Sequence, residues 1–175
     1  MTDTDIYKSD QAFTQGQMIT VTGIDNLNEW WIDPDFFEKQ SDGALKFLPI
    51  NGDYRVTANA VLKYFSVMAL KDGKPAKLQD DGTGAIWAIG KGIGKPSVTS
   101  SEVGWEPSKA LCLAQVASKK YQLTLKAGET LKTSGDPEVI SFKFFHQNDW
   151  GGEFGNYASS ILVEQLKLAD SGNLE

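Results

Sequence analysis

Ser141-Phe142-Lys143-Phe144-Phe145-His146-Gln147-Asn148-Asp149-Trp150-Gly151-Gly152-Glu153-Phe154-Gly155 begins as a strand and ends as a loop. Extended backbone sends successive side chains to opposite faces. Phe142, Phe144 and His146 therefore share one face, and Ser141, Lys143, Phe145 and Gln147 share the other. Asn148, Asp149 and the Gly151-Gly152 pair break the run, and the indole of Trp150 stands at the break. The segment predicts a β-strand that sets a cation beside an amide, an acid and a flat ring in one loop.

Working outward, the period of two recurs. Tyr54, Val56 and Ala58 fall on one face of residues 54–60, and Tyr121, Leu123 and Leu125 alternate with Gln122, Thr124 and Lys126. Residues 18–24, 44–50, 64–70, 85–89 and 109–117 read as further strands, being rich in β-branched, aromatic and other apolar residues. Asn51-Gly52-Asp53 carries a hairpin-turn signal. Residues 161–169 suit either a helix or a strand. Short strands separated by turn signals predict an all-β antiparallel sandwich.

Asp72-Gly73, Pro75 and Asp80-Asp81-Gly82 crowd into one short stretch, a composition typical of a joint. The expected organisation is a flexible lead-in over 1–12, an N-terminal β module over 13–74 and a C-terminal β module over 80–175. Residues 90–108 hold four glycines and two prolines, and they read as a long loop around Trp105. In Trp30-Trp31-Ile32-Asp33-Pro34-Asp35-Phe36-Phe37 the proline forbids a central strand. That segment reads as an aromatic loop or a single helical turn after Asp33, with Trp31, Phe36 and Phe37 plugging a core.

The chain has 175 residues, room for one large or two small domains. It is 41% hydrophobic and 23% charged, which favours a packed core over disorder. The net charge of −6, with no cluster of lysines, argues against nucleic acid as a partner, because phosphate binding needs a basic face. The single cysteine, Cys112, excludes an intrachain disulfide. It sits in the apolar run Leu111-Cys112-Leu113-Ala114, as a small buried hydrophobe does. No apolar run is long enough to span a bilayer. Residues 1–5 are polar and acidic, unlike an export signal.

Other motifs point to no catalytic chemistry. Gly90-Lys91-Gly92-Ile93-Gly94-Lys95-Pro96-Ser97 fails both the phosphate-loop and the dinucleotide spacing. Asp33-Pro34-Asp35 and Asp80-Asp81-Gly82 lack the spaced ligand series of a calcium loop and read as solvated turn acids. The only histidine, His146, has no Gly-x-Ser-x-Gly to serve. Asp149, Glu153, Asp33 and Glu38 could supply a glycosidase pair, but small sandwiches seldom form the deep cleft this needs. No enzyme activity, cofactor or metal is expected. A ring that stacks on sugar C–H groups, with polar groups for hydroxyls, is the chemistry left standing.

Ala85-Ile86-Trp87-Ala88-Ile89-Gly90, Gly104-Trp105, Phe142-Lys143-Phe144, Asp149-Trp150-Gly151 with Phe154-Gly155, and Gly172-Asn173-Leu174 together resemble a module of the SusE/SusF-like outer-membrane lipoproteins of Bacteroidetes. The resemblance covers roughly residues 81–175, and Gly52–Thr57 with Tyr64–Val67 is similar to the strands that close such a module. It implies an immunoglobulin-like sandwich, lipid-anchored at the cell surface, that binds oligo- or polysaccharide without cleaving it. A TonB-dependent outer-membrane transporter is the implied partner. Matched by position, Trp105, Lys143 and Asn173 are the implied ligand-binding residues, with Trp150 and Trp31 as further platforms. The chain departs from the family at the closing strand after Asn173, and Trp30-Trp31 has no counterpart in the starch pattern, so starch is not implied. A structural or adaptor module that binds a partner protein is the alternative.

Overall fold

The computed structural model describes residues 5–133 and 140–154. In chain order the strands are β1 (Ile6–Phe13), β2 (Met18–Ile19), β3 (Phe37–Lys39), β4 (Leu45–Phe47), β5 (Gly52–Asn59), β6 (Tyr64–Lys71) and β7 (Lys74–Pro75). There follow β8 (Trp87–Gly94), the one-turn helix α1 (Val98–Ser101), β9 (Glu102–Gly104), β10 (Leu111–Cys112), β11 (Ala114–Ala117), β12 (Lys120–Gln122) and β13 (Ser141–Phe145). The fold is all-β and its ladders are antiparallel, as the alternation predicts. Two compact units form. The first holds the described residues up to Ala85 together with Leu113–Thr124, and the second holds Ile86–Cys112 and the described residues from Leu125 onward.

In the first unit, one sheet runs β1-β5-β6-β7 and a second runs β2-β4-β3. Aromatic rings from the two sheets interdigitate. Phe47 of β4 lies 4.8 Å from Phe13 of β1 and 4.9 Å from Tyr54 of β5, and Phe37 of β3 meets its edge at 5.7 Å. Phe47 is wholly buried, and burying such a ring stabilises the fold by about 1.5–3 kcal/mol. This sheet-on-sheet contact makes the unit sandwich-like. Tyr54 donates its hydroxyl to the Ile50 carbonyl at 2.8 Å, tying the start of β5 to the corner before it.

Several local expectations change here. Residues 1–12 were expected to be a loose lead-in, yet β1 pairs with β5 along its whole length, from Ile6↔Asn59 to Phe13↔Gly52. A polar strand is stable there because β5 supplies its ladder and Phe13 anchors its end in the ring cluster. Asn51-Gly52 closes no hairpin. It carries the chain from one sheet to the other, and neither residue has the positive φ that a two-residue hairpin turn needs. Asp72 and Gly73 do have it, at φ 52° and 72°, and they join β6 to β7 with Lys71 opposite Lys74. The first residues of the expected joint therefore form a hairpin inside the first unit.

The segment 113–124 packs with the first unit although it follows β8 to β10 in the chain. Its anchor is Asp35, wholly buried. That carboxylate accepts from Gln122 Nε2 at 2.8 Å, Thr124 N at 2.7 Å and Thr124 Oγ1 at 2.6 Å. Ile50 N also donates to the Gln115 carbonyl at 2.8 Å. Asp33 is 5% exposed and accepts from the Asp35 amide, so this acid pair is buried and structural, not solvated. The turn after Asp33 forms as expected, with Phe36 N and Phe37 N both reaching the Asp33 carbonyl. Trp30, not Trp31, fills the core beside it, its ring 5.1 Å from Phe65. Adjacent residues on extended backbone face opposite ways, so only one of the two can point inward.

The second unit is organised on β8, which pairs with β13 on one side and with β10 and β9 on the other. The glycine-rich run expected to be a loop is thus strand as far as Gly94. The glycines serve close packing. A Cβ on Gly90 would stand 2.3 Å from both Phe142 Cα and the Ser141 carbonyl, so any side chain there would push β13 away. Trp87, Ala88 and Ile89 are wholly buried, as are most side chains of the strand. Cys112 is buried opposite Trp87, as its apolar surroundings predict. Residues 161–169 lie outside the described residues.

Candidate functional site

Chain reversal after β13 builds the site. Phe145 pairs with Glu153, His146 N donates to the Gly152 carbonyl at 2.7 Å and Phe154 N to the Phe144 carbonyl at 2.9 Å. Residues between them form a loop that Gly151 and Gly152 turn at φ 82° and 64°, angles that favour glycine. Inside it, Gln147 Nε2 donates to the Trp150 carbonyl at 2.6 Å, and Trp150 N donates to Asp149 Oδ1 at 2.8 Å. The backbone carrying the indole is therefore held from both sides.

Trp150 is 50% exposed, and the other four tryptophans, all among the described residues, are buried or half-buried. It stacks on Trp105 with ring centres 6.3 Å apart and planes 26° from parallel, and it meets Phe145 edge-on at 5.9 Å. Both arrangements are favourable aromatic geometries. Phe145 is buried and meets Trp150 from below, while the half-buried Trp105 stacks on the open Trp150 ring. Trp105 reaches this place because it follows Gly104, which pairs with Gly90 of β8.

Lys143 lies two residues before Phe145 and so on the same face of β13. Its register partner is Ile89. Its amine is the one the resemblance implies for a ligand. It pairs with Glu153 at 2.9 Å, the diagonal neighbour across the hairpin. The lysine side chain is 20% exposed and the glutamate 52%, so the pair sits at the rim and contributes about 0.2–1 kcal/mol. Lys143 lies on the face opposite Phe142, as the alternation predicts, and Phe145 on its own face is as buried as Phe142, so rings pack on both faces of the strand. His146 stands edge-on to Phe154 at 4.1 Å, on the opposite face from Lys143.

The structure thus brings Trp105 and Trp150 together, with Lys143 on the same face through Phe145. Asn173 lies outside the described residues. Trp31 belongs to the first unit, where it is half-buried and bridged to Tyr64 through the backbone. Two contributors were missed by sequence reading: Gln147, which holds the ring-bearing loop, and Glu153 as the partner of Lys143. The pairing of Phe145 with Glu153 around Asp149-Trp150-Gly151-Gly152 is a hairpin signal that could have exposed the second. Among the described residues, no group of three or more His, Cys, Asp or Glu side chains is arranged to hold a metal.

The fold and site define an all-β, two-unit protein with an open tryptophan platform on one hairpin. Residues 81–175 match the family model described as Domain of unknown function (DUF5121), which covers more than half of the chain, and the chain belongs to that family. Residues 1–78 match the family model described as Domain of unknown function (DUF5125). No curated protein and no solved structure matches the chain. The two matches meet near residue 80, whereas the units exchange at Ala85 and the segment Leu113–Thr124 of the second match packs in the first unit.

Proposed function

We propose that this protein binds carbohydrate without cleaving it, holding oligo- or polysaccharide at the bacterial cell surface for import. The observation that carries the reading is the exposed Trp150 ring stacked on Trp105, with Gln147, Asp149 and the Lys143–Glu153 pair on neighbouring positions. An indole face takes the C–H face of a sugar, and the polar rim takes its hydroxyls. An adaptor surface for a partner protein calls for flat apolar rings without such a rim, so the rim favours the glycan. The four carboxylates that a glycosidase could draw on are otherwise engaged: Glu153 with Lys143, Asp149 with the Trp150 amide, Glu38 with Lys46, and Asp33 in the core of the first unit.

The SusE/SusF-like relationship, the outer-membrane lipid anchor and the TonB-dependent transporter as partner follow from the resemblance of the motifs alone. Stacking on one ring is worth ~1 kcal/mol, by analogy with aromatic pairs, so a single site binds weakly and a long polymer gains by multivalency. A glycan array with turnover controls tests the reading. Binding without product release, weakened by Trp150→Ala and Trp105→Ala, is the expected result. Product release, or binding indifferent to both substitutions, overturns it.

A further inference from the structure

The first unit holds a cleft of about 640 Å³ at one end of β5 and β6, separate from the tryptophan platform. That volume lies within the roughly 300–1,000 Å³ of small-molecule sites. Buried Leu70 and Ala76 line it, and Asp53, Asp72, Lys71 and Lys77 stand exposed around it. Among the described residues, the side chains of these four make no hydrogen bond or ion pair.

Gln115, brought in by β11, also lines the cleft, and its side chain sets this cleft apart from a surface dent. Gln115 is 5% exposed, and its Nε2 donates to the Gly82 carbonyl at 2.9 Å, where the Tyr121 hydroxyl also donates at 3.1 Å. A carbonyl accepts only donors, so this contact decides which end of the amide is nitrogen. Oε1 is then left without a hydrogen-bond partner among the described residues. A buried acceptor without a donor costs free energy, and such groups are met by water or by a ligand.

We propose that this cleft is a binding site for a small neutral polyhydroxylated ligand, of the size of one or two sugar units. A hydroxyl of the ligand donates to Gln115 Oε1, and further hydroxyls bond the aspartates and lysines at the rim. The charges select this class. Asp53, Asp72 and Asp81 disfavour phosphate or a carboxylate, and Lys71 and Lys77 disfavour an amine. Hydroxyls serve both signs, as donor to the acids and acceptor to the lysines.

The test is an amide NMR titration of the full chain with cellobiose, maltose, xylobiose and mannobiose, and separately with inorganic phosphate. One or more of the disaccharides should shift Gly84 and the Gln115 side-chain amide, and should still do so in a Trp105→Ala/Trp150→Ala variant. Lys77→Ala and Asp53→Ala, both at exposed positions, should each weaken that response about tenfold, or ~1.4 kcal/mol. Gln115→Met should abolish it, and the two rim variants keep the test valid if this one does not fold. No shift at these amides with any disaccharide, a response untouched by the rim variants, or preferential binding of phosphate overturns the site. Shifts confined to Trp105 and Trp150 would overturn this site and leave the platform standing.

Discussion

Trp30 and Trp31 are neighbours in sequence and end in different environments, whereas Trp105 and Trp150 lie far apart in sequence and end stacked. Trp30 is 8% exposed and pressed against Phe65, and its neighbour is half-buried with its backbone bridged to Tyr64. The second pair keeps one ring open to solvent above a buried phenylalanine. A tryptophan serves as core where extended backbone aims it between two layers. It stays open to solvent where a glycine-turned hairpin lifts it past the end of a strand.

The contrast can be broken by substitution. Trp30→Ala should have the largest effect, a loss of about 3–5 kcal/mol seen as a lower urea midpoint, because it empties a core position. A change below ~1 kcal/mol would show that this ring is not core. Asp35→Ala comes next. It strips three donors of their acceptor and should cost about 3 kcal/mol, again by urea denaturation, with Asp35→Asn milder because one oxygen remains.

Trp150→Ala should reverse the pattern of Trp30→Ala. Stability should move by less than ~1 kcal/mol, while glycan affinity should drop about fivefold in affinity electrophoresis. A large stability loss would make Trp150 a core ring after all.

The smallest effect belongs to Glu102 of β9. Lys132 and the Gly92 amide both bond its carboxylate, and these contacts hold its pKa below the usual glutamate value of 4.5. A depressed carboxylate adds stability above its unfolded pKa, and that stability is lost as pH falls through the folded pKa. Both partners are about one-third exposed, so Glu102→Gln should cost only about 0.5–1 kcal/mol at neutral pH. Melting curves of the two proteins should converge as pH drops below 4.5. A difference that persists in acid would assign the effect to packing instead of charge.

Two dipeptides show how far local signals carry. Asn51-Gly52 has the strongest hairpin signature and makes a crossover between sheets, while Asp72-Gly73, whose composition suits a joint, makes the hairpin. Turn propensity states that a chain can reverse at a point. Which strand it then meets depends on partners distant in sequence, here β1 and β6 on either side of β5. The glycines after Ile89 read locally as a loop and form strand for the same reason. Glycine weakens an isolated strand, but Phe142 needs the space above Gly90.

By itself the sequence determined the β character, through alternation at residues 54–60 and 141–147. It also carried the buried character of Cys112, which follows from composition within a few residues. Tertiary structure alone decided that Trp105 stacks on Trp150, that Glu153 occupies the Lys143 amine and that Asp35 draws Gln122 and Thr124 into the first unit. The division has one physical cause. Alternation arises from the backbone geometry of each residue and its neighbours, whereas stacking, ion pairing and burial of a carboxylate depend on groups that only the folded chain brings within a few ångströms.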